Sequence, residues 1–411
     1  MTSRYIVGDV FEVLATLEAD SVDLVLSSPP FLALRSYLPA DHPDKAREIG
    51  SEATPADYLD TLLDVVEACD RVLAPHGSLV FELGDTYSGA GGENHLWDSG
   101  YSGYATYPNV KHPSGQSVKR GRAGWPLDKS LCGIPGLFAW SLAYGRNLLR
   151  PERTTPQWRI RNVVAWCRPN PPVGALGDKF RPATSYLTVA TKARDRWFDL
   201  DAVRDARDVP EVTRQPRERR EPGRNGQIAP MYSERNAAGA PPLDYWEIPT
   251  QPYAGAHYAT WPEKLCVRPI LSMCPEQVCR QCGQPRRRIV DTTYELAGDH
   301  SSSQRREVGQ PIGEPGSGDQ GDTSRDGDLP ALSGDVRGEL KDGYVCPCGS
   351  RDIEYVMDNY RRGIVLDPFA GSGTTLAVAE GHARDSIGID LDPRNADLAY
   401  ERIGGLFLTV E

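Results

Sequence analysis

Mostly apolar runs alternate along the chain with stretches of helical spacing, and together they predict an α/β protein. Residues 22–26 form one such run, and the Ser-Pro-Pro sequence at 28–30 ends it, because proline cannot donate to a β-ladder. Apolar residues at helical spacing predict helices at 10–17 and 55–74. The alternation predicts a doubly wound, mostly parallel sheet that binds ligands at the carboxyl ends of its strands. Further runs that predict strands lie at 4–7, 78–83, 158–166, 363–366 and 385–390.

The residues that follow the run at 22–26 are candidates for chemistry. Two successive prolines, Pro29 and Pro30, remove two N–H donors, so nearby carbonyl groups lack local hydrogen-bond donors. The Ser28 hydroxyl and the Pro29 carbonyl could each accept one N–H of a planar exocyclic amine, and Phe31 could stack on the ring that carries it. An ordinary turn after a strand is the alternative, and the motif alone leaves both interpretations open.

A second stretch, at 363–375, makes the chemical interpretation stronger. It contains a strand, a glycine-rich turn and a helix start, an arrangement in which backbone N–H groups face a ligand. The next predicted strand ends in Asp390, 23 positions after Asp367. A separation of ~20 positions is expected when a carboxylate must reach ribose hydroxyls beside such a loop. We therefore expect Asp390 to bind the ribose of a cofactor.

These two stretches carry a family resemblance. The sequence Asp-Pro-Phe-Ala-Gly-Ser-Gly-Thr-Thr at 367–375, together with Ser-Pro-Pro-Phe at 28–31, closely resembles the amino-group DNA methyltransferases that use S-adenosylmethionine. The catalytic motif precedes the cofactor loop, which is similar to the β group, and Ser-Pro-Pro-Phe is typical of cytosine-N4 enzymes. Adenine-N6 members more often have Asp or Asn in place of Ser28. The resemblance implies a Rossmann-like methyltransferase sheet with permuted motif order.

The resemblance also implies which residues contact the target base and the cofactor. Asp9 is expected near the S-adenosylmethionine adenine, although a helix N-cap is an equally good interpretation. Asp85, in a Gly-Asp-Thr-Tyr sequence, is a further candidate. His257, Thr260 and Pro262 are expected at the methionine end of the cofactor, with core or capping roles as the alternative. The catalytic candidates are Ser28, Pro29, Pro30 and Phe31, and the cofactor candidates are Asp9, His257, Thr260, Pro262, Asp367, Pro368, Phe369, Gly371, Ser372, Gly373, Thr374 and Asp390.

Charge and hydropathy bear on the partner and the compartment. The 411-residue chain has a net charge of −11, which by itself argues against a polyanionic partner. The segment 291–342 holds twelve acidic and five basic residues, however, so the rest of the chain carries only −4 and remains compatible with double-stranded DNA. No apolar run of ~18 residues and no signal-like N-terminus occur, so we expect a cytoplasmic protein without membrane association.

Two pairs of cysteines have the spacing of metal ligands. Cys279 and Cys282 form a Cys-x-x-Cys-Gly knuckle, and Cys346 and Cys348 form a Cys-x-Cys sequence just before the cofactor strand. Four thiolates suit a tetrahedral structural Zn²⁺. The 63 residues between the pairs exceed the usual spacing of about 15–20, so a zinc ribbon would need an expanded hairpin tip. Reduced, unliganded thiols are the alternative, and Cys274 is a substitute ligand.

We predict one large catalytic domain with insertions. Seven arginines between 204 and 224 could read guanine edges or clamp phosphates in a recognition insert, and a solvated linker is the alternative. The predicted parts are a catalytic half (1–200), a target-recognition insert (201–256), a cofactor-side helix (257–273), a zinc-ribbon-like insert (274–360) with a disordered acidic segment (291–342), and the S-adenosylmethionine-binding half (361–411).

The resemblance implies a site-specific DNA methyltransferase that transfers the methyl group of S-adenosylmethionine to the N4 amine of cytosine. An amine inside a duplex is out of reach, so the base must be flipped out of the stack. Two alternatives remain: an adenine-N6 DNA methyltransferase, and a catalytically silent, zinc-containing DNA-binding protein. A cognate restriction endonuclease is a candidate partner.

Overall fold

The computed structural model describes two compact units. The first comprises Met1–Phe198, Leu243–Pro285 and Met357–Glu411, and the second comprises Asp199–Pro242 and Arg286–Val356. The described residues are 3–34, 38, 41–88, 123–171, 178–205, 239–251, 261–294, 302–307, 336–339, 344–348 and 359–411.

The α-helices of the described residues lie in the first unit. The longest begins as its sequence predicts: the Thr54 hydroxyl accepts a hydrogen bond from the N–H of Asp57, and Pro55 occupies the first helical position. None of the described helices combines the length and hydropathy that a bilayer span requires. The helices are α1 Val10–Thr16, α2 Pro55–Val72, α3 Ile134–Tyr144, α4 Glu263–Met273, α5 Thr374–Gly381 and α6 Arg394–Ile403.

The strands divide between one large sheet and several small ones. They are β1 Ser3–Val7, β2 Val22–Ser27, β3 Leu73–Leu83, β4 Arg146–Asn147, β5 Arg150–Thr154, β6 Arg159–Cys167, β7 Thr184–Thr191, β8 Tyr245–Glu247, β9 Val278–Cys279, β10 Arg287–Tyr294, β11 Ser302–Glu307, β12 Val336–Glu339, β13 Tyr344–Val345, β14 Tyr360–Arg361, β15 Ile364–Asp367, β16 Asp385–Asp390 and β17 Leu408–Val410.

A nine-stranded sheet forms the centre of the first unit, in the order β17-β1-β16-β15-β2-β3-β7-β6-β8. Neighbouring strands are parallel except at β7, which is antiparallel to both β3 and β6. Strands from the two ends of the chain are interleaved, because β1 pairs with β16 and β2 pairs with β15. The prediction of a mostly parallel sheet is therefore confirmed, and strands from both ends of the chain belong to it.

Both faces of this sheet are covered, as in a doubly wound fold. On β2, Val25 belongs to the core that contains α1, α2 and α3. The neighbouring Leu24 and Leu26 belong to a second core with α4 and α5. Successive side chains of a strand point to opposite faces, so β2 is buried along its whole length. This burial fixes the position of the end of β2, and Ser28 is the first residue after it.

Asp23 connects strands at their amino-terminal ends, at the edge of the sheet opposite to Ser28. Its carboxylate accepts hydrogen bonds from the Ile364 N–H at 2.8 Å and from the Arg361 guanidinium at 2.5 Å, and it pairs with His76 Nε2 at 2.8 Å. Burial raises the pKa of Asp23, but the bonds from His76 and Arg361 outweigh that effect and keep the pKa below its usual value. Asp23 thus links β2 to the start of β15.

The second unit contains a four-stranded antiparallel sheet in which β10 pairs with β11, β12 and β13. The end of β10, together with β11 and β12, lies within the segment 291–342, for which we predicted disorder. That prediction was wrong for these strands, because residues 292–294 are β-favouring Thr-Thr-Tyr and pair on both sides. The rest of the segment lies outside the described residues.

Candidate active site

The carboxyl ends of β16, β15, β2 and β3 meet along one edge of the large sheet, which we call the carboxyl edge. In the register, Ser27 lies opposite Phe81, and Asp367 lies opposite Gly388. The residues at or just after the ends of these strands therefore lie at the same edge of the sheet. Ser28 and Glu82 lie on one side of it, and Asp367 and Asp390 lie on the other.

Ser28 and Glu82 form a hydrogen-bonded pair at the carboxyl edge. The Ser28 hydroxyl donates to Glu82 Oε2 at 2.6 Å. Glu82 is 2% exposed, and its second oxygen, Oε1, has no hydrogen-bond partner among the described residues. Burial raises the pKa of Glu82 more than its neighbours Ser185, Ser28 and Arg168 lower it. A buried carboxylate of raised pKa beside a hydroxyl can accept a proton that passes through that hydroxyl.

The turn after β2 has a defined shape. The buried Tyr58 of α2 donates its hydroxyl to the Pro30 carbonyl at 2.7 Å, and the Ala33 N–H donates to the Gly50 carbonyl at 2.7 Å. No described residue donates to the Pro29 carbonyl. One of the two proline carbonyls is thus used internally. The Ser28 hydroxyl and the Pro29 carbonyl remain as the two acceptors that the sequence predicts.

The ring of Phe31 lies against the end of β3. Phe31 is half-buried and packs against the core that contains α2. A Cβ atom at Gly84 would lie only 2.6 Å from Phe31 Cε2, a separation that real Cβ contacts do not show. The absence of a side chain at position 84 therefore allows the Phe31 ring to lie against the chain just after β3.

Asp367 anchors the glycine-rich loop. Its carboxylate accepts hydrogen bonds from Ser27 Oγ and Thr375 Oγ1, each at 2.5 Å, and from the Phe369 N–H at 3.1 Å. The side chain is 2% exposed, and burial raises its pKa to about 6. Asp367 therefore points into the protein, where it ties the loop to β2 and to α5.

Replacing Asp367 with asparagine should change how stability depends on pH. The carboxyl titrates near ~4 in an unfolded chain and at about 6 in the folded protein, so between these values the folded state binds more protons. Its contribution to the free energy of unfolding is greatest below pH ~4 and falls by ~2–3 kcal/mol as the pH rises through 6. Urea unfolding at a series of pH values measures this, and a constant difference between wild type and Asp367→Asn would contradict it.

The loop itself presents backbone and a buried hydroxyl. Gly371 and Gly373 have φ values of +51° and +74°, a left-handed conformation that side chains rarely adopt. The Ser372 hydroxyl is buried and has no hydrogen-bond partner among the described residues. The turn leads directly into the N-terminus of α5, where free N–H groups favour an electron-rich ligand. These features fit a cofactor that brings polar groups to the loop.

The other loop candidates support its shape from within. Pro368 is buried, and Phe369 packs against the core that contains β2 and α2. Thr374 is buried at the start of α5, and its hydroxyl accepts a hydrogen bond from Arg402 of α6. These three residues hold the loop between the sheet and its helices.

Asp390 lies beside the loop, as its spacing in the sequence predicts. Its Oδ2 atom accepts the Gly371 N–H at 2.8 Å, and its Oδ1 atom accepts the Asp392 N–H at 2.8 Å and Asn395 Nδ2 at 3.0 Å. Burial raises the pKa of Asp390 more than these bonds lower it. An ionised carboxylate offers about four acceptor positions, so Asp390 keeps capacity for a further donor.

The four remaining cofactor candidates have less direct support. Asp9 caps α1 by accepting two backbone N–H groups of its first turn, so the structure places it in the capping role that was the alternative interpretation. Pro262 is the buried residue immediately before α4. His257 and Thr260 lie outside the described residues. The expected contacts of these four residues with the cofactor remain predictions.

Asp85 occupies a capping position as well. Its carboxylate accepts the Gly133 N–H at 2.9 Å and the Ile134 N–H at 3.2 Å, at the start of α3. A carboxylate is favourable there because the N-terminus of a helix carries a partial positive charge. The structure therefore places Asp85 as an anchor for α3.

Each cysteine pair lies in a turn of its own unit. In the first unit, the Gly283 N–H donates to the Cys279 carbonyl at 2.9 Å and closes the knuckle that contains Cys282. In the second unit, the sulfur atoms of Cys346 and Cys348 lie 3.0 Å apart, so one ion could contact both. Thiolate donors of this number and type fit a structural Zn²⁺.

Glu82 is the residue at the carboxyl edge that the sequence analysis missed. It lies within the apolar run at 78–83, which was interpreted only as a strand. A signal was present, because an acidic residue at the end of a buried strand is unusual unless it is paired. What the sequence could not provide is the pairing of β2 with β3, which brings Glu82 to Ser28.

The chain is similar in sequence or in fold to several known methyltransferases. A type II methyltransferase of Serratia marcescens, M.SmaI, is 23% identical over 97% of this chain and 90% of its own length. M.Cfr9I of Citrobacter freundii is 27% identical over 64% of this chain and 70% of its own length. Among solved structures, the cytosine-N4-specific PvuII DNA methyltransferase is 13% identical, with a TM-score of 0.46, and the match covers 98% of this chain and 86% of that one.

A family model described as DNA methylase, for the N6 and N4 methyltransferases, matches residues 22–279 and 353–401, well over half of the chain. The matched ranges include the Ser28–Glu82 pair, the glycine-rich loop and Asp390. Enzymes of this kind act on DNA and take their methyl group from S-adenosylmethionine. The glycine-rich loop, with a Ser372 hydroxyl that is unpaired among the described residues, fits the binding of this cofactor. This chain therefore belongs to the N6/N4 DNA methylase family and is an S-adenosylmethionine-dependent DNA methyltransferase.

Proposed function

We propose that this enzyme methylates the exocyclic N4 amine of a flipped cytosine in duplex DNA. The observation that carries the proposal is the hydrogen bond from Ser28 to the buried Glu82, made by the same turn that contains Pro29 and Phe31. Serine at position 28, where adenine-N6 relatives more often have Asp or Asn, favours cytosine. An intact pair of this kind also argues against a catalytically silent DNA-binding protein.

The carboxyl edge binds the target amine through two acceptors. The Ser28 hydroxyl and the Pro29 carbonyl each accept one N–H of the amine, while Phe31 stacks on the base. The lone pair of a nucleobase amine is delocalised into its ring. Two acceptors outside the plane of the base favour a pyramidal nitrogen whose lone pair is available for attack.

Ser28 and Glu82 also receive the proton that the amine must lose. When the amine nitrogen takes the methyl group, the bond from the methyl carbon to the sulfonium sulfur would break, and the sulfur would keep the electron pair and leave as a neutral thioether. One N–H proton passes to Ser28 Oγ, and the Ser28 hydroxyl proton passes to Glu82 Oε2. The burial that raises the pKa of Glu82 makes its carboxylate a better proton acceptor at neutral pH. The proton balance closes with a neutral methylated amine and a protonated Glu82.

The cofactor binds to the glycine-rich loop and to Asp390. S-adenosylmethionine, when bound, supplies an electrophilic methyl group on a sulfonium centre. Asp390 accepts the ribose hydroxyls, and Ser372 Oγ and the loop N–H groups contact the polar parts of the cofactor. Asp9, His257, Thr260 and Pro262 are proposed to complete the site, as the family resemblance implies.

Replacing Asp390 with alanine should weaken S-adenosylmethionine binding about 5- to 150-fold, because the ribose hydroxyls lose an acceptor worth ~1–3 kcal/mol. The loop also loses the bond to the Gly371 N–H. Calorimetric titration of the purified protein measures the affinity. Asp397→Ala is the matched control, because Asp397 is exposed on α6. Wild-type affinity in a folded Asp390→Ala protein would exclude the ribose contact.

The cysteine pairs are proposed to hold one structural Zn²⁺ per chain, with Cys279, Cys282, Cys346 and Cys348 as ligands. Elemental analysis of protein purified without chelator should give about one equivalent of zinc. Cys279→Ser should lose the metal, whereas Cys167→Ser should keep it, because Cys167 lies on β6 outside the pairs. A wild-type content below about a tenth of an equivalent would contradict the proposal.

Sequencing at single-base resolution of DNA from cells that express the enzyme tests the proposed function. We expect methylated cytosine at one recurring sequence, which is absent from cells that express Ser28→Ala. Adenine methylation at a recurring sequence would favour the adenine-N6 alternative. Residues 201–256 are proposed to recognise that sequence, and a restriction endonuclease that cleaves it when unmethylated is the proposed partner.

A further inference from the structure

Phe180 is 98% exposed, more than any other large apolar side chain of the described residues. It follows Lys179 and precedes Arg181, so a fully exposed aromatic ring lies between two cationic side chains. Leaving such a ring in water is unfavourable, since burying a phenylalanine side chain stabilises a protein substantially. The ring therefore contributes nothing to the described core.

The backbone around Phe180 is held in place although the ring is free. The Lys179 ammonium lies 3.6 Å from the centre of the Tyr87 ring. The preceding Asp178 pairs with Lys129 at 2.9 Å, and the following Arg181 donates to the Pro171 carbonyl at 3.4 Å. Side-chain contacts on both sides of Phe180 thus connect the turn that presents it to neighbouring residues. A turn tethered in this way projects its aromatic side chain from a defined position.

That position is at the carboxyl edge. Tyr87, which Lys179 covers, lies four residues after Leu83, the last residue of β3. On the other side, Tyr186 of β7 lies opposite Leu83, and Phe180 precedes Tyr186 by six residues, at most ~20 Å of extended chain. Phe180 therefore precedes β7 at the same edge of the sheet at which Ser28 and Glu82 lie.

The charges around Phe180 suit a polyanion. Arg168 lies over the Trp166 ring at the end of β6, and Arg181 and Lys179 flank Phe180. Asp178 is the acidic group in this turn, and its pairing with Lys129 neutralises its charge. An exposed aromatic ring framed by cations is the combination with which proteins enter a base stack, the cations contacting phosphates and the ring contacting bases.

We propose that Phe180 inserts into the DNA duplex beside the target base and stacks on the neighbouring bases when the target leaves the helix. This inference rests on the proposed function, because it requires an enzyme that flips a base of duplex DNA. Flipping breaks one base pair and two stacking contacts, and an aromatic ring in the gap restores part of that stacking. Phe180 then stabilises the flipped state without contacting the reacting amine.

The test compares two substrates for each variant. One is an unmethylated duplex that contains the sequence recognised by the wild-type enzyme. The other is the same duplex with an abasic site opposite the target base. The abasic site removes the base pair that flipping must break. On the paired duplex we expect Phe180→Ala to lower kcat/KM about 10- to 100-fold, the scale of one lost stacking contact. On the abasic duplex the loss should be threefold or less, and Phe180→Trp should restore activity on the paired duplex.

Phe198→Ala is the matched control, because Phe198 follows the opposite end of β7 and stacks with Arg196. It should match wild type on both duplexes, and all variants should bind S-adenosylmethionine equally. A Phe180→Ala enzyme within threefold of wild type on the paired duplex, or equally slow on both duplexes, would overturn the proposal. Methylation of adenine by the wild-type enzyme would refute the cytosine assignment but not the role of Phe180. The paired and abasic duplexes can then be compared with adenine as the target base. An enzyme that leaves duplex DNA unmethylated would refute both.

Discussion

Turnover of DNA methylation should fall about 10²–10⁴-fold when Ser28 is replaced by alanine, the range that a positioned proton-transfer group contributes. The variant loses the acceptor for one amine N–H and the hydroxyl that connects the amine to Glu82. Its affinity for S-adenosylmethionine should stay near wild type, because the lost contact is to the base. Single-turnover kinetics with saturating cofactor separate these two effects.

Ser21→Ala is the matched control for this measurement. Ser21 precedes β2 at its amino end, and its hydroxyl bonds only the nearby Glu18 carbonyl, so the same atoms are removed at the other end of the same strand. It should retain wild-type turnover. A Ser28→Ala enzyme with turnover within tenfold of wild type would remove Ser28 from the proposed proton path.

Replacing Glu82 with glutamine should also lower turnover about 10²–10⁴-fold, although glutamine has nearly the same shape. The amide can still bond the Ser28 hydroxyl, but it cannot take up the proton. A loss in this variant therefore reports on proton transfer and not on packing. Glu152→Gln is the control, because Glu152 is exposed on β5.

The pH dependence of turnover gives a second test of the role of Glu82. Glu82 accepts a proton only when ionised, so wild-type turnover should fall as the pH decreases through its pKa. Burial raises this pKa, so the acidic limb should lie above the usual range of a glutamate. Glu82→Gln should lack that limb, and a limb of the same position and size in both proteins would assign it to another group.

The sequence predicted those features that depend on local patterns. The two prolines after an apolar run located the end of β2, and the glycine-rich turn with Asp390 located the loop. These features need only neighbouring residues and their backbone preferences. Glu82 could not be assigned in this way, because its role depends on a strand pair whose two members are 54 positions apart in the chain.

Asp9 and Asp85 show a different limit. A carboxylate after a strand can bind a ligand or cap the next helix, and both uses require the same residue at the same place. Only the structure shows that each accepts backbone N–H groups of a helix. Similarly, the reversed direction of β7 is decided by its pairing with β3 and β6, which no local pattern records.

The central claim is tested most directly by nucleoside mass spectrometry of duplex DNA that the purified enzyme has methylated in vitro, with S-adenosylmethionine carrying an isotopically labelled methyl group. We expect labelled N4-methylcytosine, at a level that Ser28→Ala and Glu82→Gln both reduce. Labelled N6-methyladenine without N4-methylcytosine would contradict it.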